Sequence, residues 1–346
     1  MLTRRGFLGL AGGTFARIVF NRDFSRRQPL MLSPRDRVLL MRTARKRKTP
    51  LLLGVSCANA HWSYPALVDA MEFFDAITPG VDFKWASVER ERGVYDWSRC
   101  DALMNIAKAR GKRVRMHTTL WGYSNGLPEW AAELPDADLR TAARAFVRAV
   151  ATRYRGQFYC YDVVNEPLSS AGFLTRFPGL APDAVKIIRH IDPGARLMVN
   201  EQCCWDTPLL DRIIHYAHGI GADGLGLQAH DDRYYYPYEI QRTLDRCRQA
   251  GLVVDISEVT RSADDSALTT RRGAYGRWTE RAQSNAYGDM LRIALADDNV
   301  LSYTVWTLWD GLCWDKRPAT GLLREDFSAR PSFRTVVDLA ARARRA

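Results

Sequence analysis

Eight short apolar runs, each followed by a helical pattern, dominate the chain after Pro50. The runs lie at 51–57 (LLLGVSC), 73–78, 113–121, 159–165, 196–200, 224–230, 252–259 and 300–309. They are nearly continuous rather than alternating, which is the pattern of strands buried on both faces of a parallel sheet. Between them, "CDALMNIAKARGK" places Leu103, Ile106 and Ala107 on one face and stops at Gly111. "LRTAARAFVRAVATRYRG" repeats the device and stops at Gly156. A length of 346 residues would suit two average domains. Eight strand–helix units within 51–346 instead predict a single α/β domain, a (β/α)8 TIM barrel.

Composition matters chiefly through where the charge sits. The formal net charge is +11, and residues 1–50 hold 13 Lys/Arg against 2 Asp/Glu, so they account for all of it. The body is balanced, which excludes a broad nucleic-acid footprint. "TRRGFLGLAGG", with Arg4 and Arg5 ahead of a short apolar run, resembles a twin-arginine export signal. That resemblance implies a signal over 1–20, transient contact with the export machinery and a periplasmic or secreted product. The run is too short for an ordinary transmembrane helix. Residues 21–50 then read as a basic linker, and the alternative for the whole segment is a basic arm. The seven cysteines form no CxxC and no zinc-type cluster, and their pairing is not readable. No Gly-rich phosphate loop follows the first strand, so no nucleotide cofactor is expected, nor is a metal.

In a barrel the C-terminal strand tips surround one mouth, where chemistry is placed. Those tips carry His117 and Trp121, Asn165 and Glu166, Asn200 and Glu201, Gln228 and His230, Glu258, and Trp306 and Trp309, with Trp314 close behind. Indole faces suit pyranose rings, while amides and imidazoles suit hydroxyls. Alone, Glu166 in "YCYDVVNEPL" is as well explained as a loop carboxylate; with Glu258 it completes the pair that glycoside hydrolysis needs. Other polar groups have plainer readings. His215 and His218 suit a solvated helix face better than a metal. Asp231 and Asp232 lack the rhythm of a calcium loop. The tyrosines 234–236 fit substrate contact and loop packing equally, and Trp278 and Tyr287 are expected in the core.

"YDVVNEP" resembles the W-D-V-V-N-E motif of glycoside hydrolase family 10, the retaining β-1,4-xylanases, and "VDISEVT" is similar to that family's nucleophile strand. "FKWASVERERGVYDWSRCDALMNIAKARGKRVRMHTTLW", "LPEWA", "GLGLQAH" and "TVWTLWDGLCW" extend the likeness over about 51–335. The resemblance implies Glu166 as general acid/base, Glu258 as nucleophile and Asn165 on the sugar 2-hydroxyl. It implies that Gln228 and His230 support the nucleophile and its surroundings. It places Lys84, His117 and Trp121 on the glycone side and Trp306 and Trp314 as walls. It implies a monomer that hydrolyses xylan or a xylan-like β-1,4-polysaccharide. Departures fall on substrate contacts: Gly80 and Val81 replace a Glu-Asn pair, Gly122 replaces a histidine, and "NEQC" replaces N-D-Y-N. They point to a decorated glycan, such as a bacterial exopolysaccharide, as the alternative substrate. A noncatalytic polysaccharide-binding descendant is the alternative from another class.

Overall fold

The computed structural model describes residues 32–44, 47–230, 235–264, 278–313 and 318–344. In chain order its elements are α1 (Pro34–Ala44), β1 (Leu52–Cys57), α2 (Pro65–Met71), β2 (Ala76–Pro79), α3 (Trp85–Val88), α4 (Ser98–Ala109) and β3 (Arg113–Met116). There follow β4 (Leu120–Trp121), α5 (Glu129–Ala132), α6 (Asp136–Arg153), β5 (Phe158–Asn165), α7 (Leu180–Ile191), β6 (Leu197–Glu201) and α8 (Pro208–Ile220). The chain continues through β7 (Gly224–Ala229), α9 (Pro237–Gln249), β8 (Val253–Val259), α10 (Glu280–Ala296), β9 (Val300–Val305) and α11 (Pro331–Arg344). All strand pairings are parallel: β1 bonds both β2 and β9, and β3 bonds β5, so the sheet closes. The short β4 lies beside the tip of β5 as an accessory strand. The result is a closed eight-stranded (β/α)8 barrel.

Local sequence explains the helices. In α6, Leu139, Ala143, Phe146, Val147 and Val150 are buried on one face, at the spacing of a helix packed on a sheet. α8 begins with Pro208 and stops at Gly221, whose φ of 78° the missing side chain permits. α10 is capped by the Thr279 hydroxyl, which accepts from the Ala282 N–H at 3.2 Å.

Three expectations change. The run 113–121 is not one strand: the chain leaves the sheet after Met116 and re-pairs at Leu120. The intervening His117 bonds Asp162 instead of continuing the ladder. The last run stops at Val305 rather than 309, since Trp309 turns away and stacks on Phe327 with centroids 4.6 Å apart. Finally, the expected linker carries a helix, α1, over Pro34–Ala44. α1 packs on α10, where Arg37 Nη2 donates to Asp289 Oδ2 at 3.0 Å and Nε lies 2.9 Å from Oδ1. Arg47 donates to the backbone carbonyls of Ala294, Asp297 and Val300. Arginines that read as part of a basic linker therefore satisfy a buried carboxylate and loose carbonyl ends. Cys57, Cys100, Cys160 and Cys247 are buried thiols.

The barrel lumen is polar at its centre. Arg115 on β3 is fully buried; its Nε and Nη2 donate to Asp162 on β5 at 2.8 and 2.5 Å, and Nη1 donates to Asp255 on β8 at 2.5 Å. β8 lies on the opposite side of the barrel from β3.

Candidate active site

Two irregularities aim the carboxylates. On β5, Asp162 and Cys160 face the lumen, so strict alternation would turn Asn165 outward. The register against β6 slips between Asp162 and Val164, and Asn165 faces inward. On β8 the register slips between Ile256 and Val259, so Ser257 and Glu258 both reach Asn200. Glu166 then takes φ 53°, a left-handed conformation uncommon for a residue with a side chain. Its N–H donates to the Asn200 carbonyl at 2.7 Å, which fixes the turn before Pro167.

A continuous hydrogen-bond chain joins the two carboxylates. Asn200 Nδ2 donates to Glu258 Oε1 at 2.5 Å and to Asn165 Oδ1 at 2.7 Å, while Ser257 Oγ donates to Asn200 Oδ1 at 2.6 Å. Gln228 Nε2 donates to Glu166 Oε1 at 3.1 Å and to Asn165 Oδ1 at 3.3 Å. Trp121 Nε1 donates to Glu166 Oε2 at 3.3 Å. His230 Nε2 meets Glu258 Oε2 at 2.8 Å and its Nδ1 meets Thr260 Oγ1 at 3.1 Å. Burial would raise the Glu258 pKa, but the His230 bond, nearby His117 and the Asn200 amide outweigh it and hold the group below its ordinary value. A buried, anionic, hydrogen-bonded carboxylate therefore faces a second, partly exposed one. That arrangement can attack an acetal carbon from one side and exchange a proton with its oxygen on the other.

Most of the residues singled out in the sequence meet here, around a cavity of about 780 Å³. The Lys84 ammonium stands 4.4 Å from the Trp121 ring centroid; burial lowers its pKa, with Glu258 and Glu166 opposing. His117 is held by Asp162 at 2.9 Å and meets Trp306 edge-to-face, centroids 5.1 Å apart. Gln228 differs from expectation, because it bonds the Glu166 side and not Glu258. Trp314, Asp231, Asp232 and Tyr234 lie outside the described residues. Tyr235 is buried beside Trp205 and under Arg261, which favours packing over substrate contact. Among the described residues, no group of three or more His, Cys, Asp or Glu side chains is placed to hold a metal ion.

Five residues carry more than their sequence positions suggested. Asn200 is the junction of the chain just described. Arg115 and Asp162 orient His117 from below; burial pushes the Asp162 pKa up, but Arg115 and then His117 bring it under the ordinary value. Glu201, at a strand tip, does not line the cavity. Its carboxylate accepts from the Leu168 and Ser169 N–H groups at 2.8 and 3.3 Å and from the Ser169 hydroxyl, pinning the segment after Glu166. Gly122 also gains a reason: a Cβ there would lie 1.8 Å from the Ala171 carbonyl oxygen. Backbone fills the space that a side chain would need.

Residues 42–339 match the sequence profile of Glycosyl hydrolase family 10. The chain belongs to that family. Among its relatives, Endo-1,4-beta-xylanase A of Phanerodontia chrysosporium is 27% identical over 296 residues, covering 79% of this chain and 69% of that protein. Endo-1,4-beta-xylanase of Agaricus bisporus is 26% identical over 285 residues, covering 77% and 83%. In structure, xylanase 10B from Thermotoga petrophila RKU-1 in complex with xylobiose superposes with a TM-score of 0.72 at 21% identity, covering 89% of this chain and 97% of that one. This family 10 glycoside hydrolase keeps the barrel across most of its length. Among its described residues no helix is long and apolar enough to cross a membrane.

Proposed function

We propose that the chain is a retaining endo-β-1,4-glycanase acting on xylan or a xylan-like polysaccharide, with Glu258 as nucleophile and Glu166 as general acid/base. The carrying observation is the bond network that keeps Glu258 anionic and ties it, through Asn200, Asn165 and Gln228, to Glu166. Glu258 Oε2 or Oε1 bonds to the anomeric carbon as the bond to the departing sugar breaks, and Glu166 gives that sugar its proton. Water then attacks the same carbon, Glu166 takes the water's proton, and Glu258 leaves as a carboxylate. Asn165 holds a hydroxyl of the sugar at the reacting centre, an interaction that strengthens with positive charge on the ring. Lys84 and His117 bind neighbouring hydroxyls. The relatives' names, endo-1,4-beta-xylanases, support β-1,4-linked substrate.

Reducing-end assays on xylan and mixed-linkage glucan test this, with product anomers followed by NMR. The expected result is β-anomer released first, with Glu258→Gln inactive. Glu166→Ala is expected to cleave only activated aryl glycosides, with azide restoring turnover. Equal reducing-end release by wild type and Glu258→Gln would overturn the assignment. Export to the periplasm or beyond is supported by the twin arginines Arg4 and Arg5. Replacing both with lysine is expected to retain the precursor in the cytoplasm.

A further inference from the structure

The cavity continues past the catalytic pair along a wall made of β1, β2 and the 3₁₀ turn Asn59–Ser63. The wall is built of small groups: Ser56, Ala58, Ala60 and Gly80 line it, with the His61 ring among them. Gly80 keeps it open. A Cβ at that position would stand 3.1 Å from Ser56 Oγ and 3.9 Å from the Trp306 ring, between the two. Trp306 meets His117 and His230 edge-to-face, and His230 holds Glu258, so this wall adjoins the nucleophile's side of the mouth. The nucleophile bonds the glycone carbon, and the wall therefore faces glycone sugar.

His61 supplies the wall's directed polarity. Its Nδ1 accepts from the Ala58 N–H at 3.0 Å, which places the ring proton on Nε2. Among the described residues no protein group accepts from Nε2. Burial lowers the His61 pKa, so the ring is neutral, and Asp82 is buried nearby, paired with Arg99 at 2.6 Å. A neutral donor backed by a buried carboxylate suits an uncharged acceptor and disfavours an acid.

Resting on the glycanase assignment above, we propose that this wall is a subsite for an uncharged, oxygen-bearing substituent on the glycone, with His61 Nε2–H donating to that oxygen and Gly80 leaving room for it. An exocyclic hydroxymethyl and an O-acetyl group both present this chemistry. The test compares kcat/KM on p-nitrophenyl β-xylobioside, which lacks a substituent, with p-nitrophenyl β-cellobioside and an O-acetylated p-nitrophenyl xylobioside. Wild type is expected to prefer at least one substituted glycone, and the preferred arm names the source. His61→Asn keeps an acceptor for the Ala58 N–H but removes the Nε2–H donor. It is expected to cut the substituted-to-plain ratio about tenfold, the scale of one lost hydrogen bond. Gly80→Ala is expected to cut it further. The ratio does not depend on the fraction of folded enzyme, so partial misfolding cannot imitate the result. A ratio unchanged in both variants, or a wild-type preference for the plain xylobioside, overturns the subsite and leaves the glycanase assignment standing. Cleavage of none of the three overturns that assignment and the subsite with it.

Discussion

At the scale of single residues, the site depends on groups that hold the carboxylates as much as on the carboxylates. Asn200 bonds Glu258 and Asn165 together, and a hydrogen bond to a charged group is worth more than a neutral one. Asn200→Ala is expected to lower kcat by about a hundredfold with a small change in KM, the pattern of an interaction used mainly in the transition state. His230 controls pH response. Because the folded-state pKa of Glu258 is depressed, the anion persists below the ordinary value of 4.5, and its contribution to stability is lost only as pH falls through the lower folded value. The acid limb of kcat/KM is therefore expected below that ordinary value. In His230→Ala, burial is left less opposed and the limb moves upward, which a pH–rate profile on an aryl glycoside reads directly.

At the scale of elements, two contacts carry predictions. Arg37→Ala removes a partner of the buried Asp289 carboxylate and loosens α1 from α10, while Arg292 remains 3.1 Å from the same carboxylate. A loss of about 1–3 kcal/mol in urea unfolding is expected. Gly122→Ala sets a methyl against the backbone of Ala171, which has no soft atom to yield. The segment after Glu166 must shift, and activity is expected to fall more than stability, as comparison of kcat with the melting curve would show. Elements of this kind divide what the sequence makes legible from what it does not. The strands were readable because parallel strands buried on both faces are apolar throughout. Glu166 and Glu258 stood out because they close such runs within stretches that resemble family 10 motifs, while Glu201 closes another run. The slips at 162–164 and 256–259 were invisible, since one extra residue in a strand leaves its hydropathy unchanged while reversing which side chains face inward. The docking of α1 was hidden for a different reason. Arginines that bond a buried carboxylate and carbonyl ends have the same composition as arginines in a tether. Gly122 read as a missing histidine because the backbone that occupies its space comes from 49 positions away.

At the scale of the whole molecule, the barrel is braced through its centre by charge. Arg115 on β3 pairs with two buried aspartates, Asp162 on neighbouring β5 and Asp255 on β8 across the barrel, and Asp162 in turn orients His117. Arg115→Met keeps the bulk but leaves both carboxylates in the lumen without their cation. A destabilisation of about 3–5 kcal/mol is expected by chemical denaturation. The deficit should narrow on acidification, because a protonated carboxyl is cheaper to bury than an anion.

The two strands that Arg115 grips are the strands that end in Glu166 and Glu258. The guanidinium thus ties those two strands together one layer below the mouth, beneath the span between the proposed acid and the proposed nucleophile. In retaining glycosidases that span, about 5–5.5 Å, decides the stereochemical course. Because that tie lies below the rim, having Gly80 and Val81 in place of Glu-Asn, or Gly122 in place of a histidine, is expected to alter which glycan is held more than how its bond is broken.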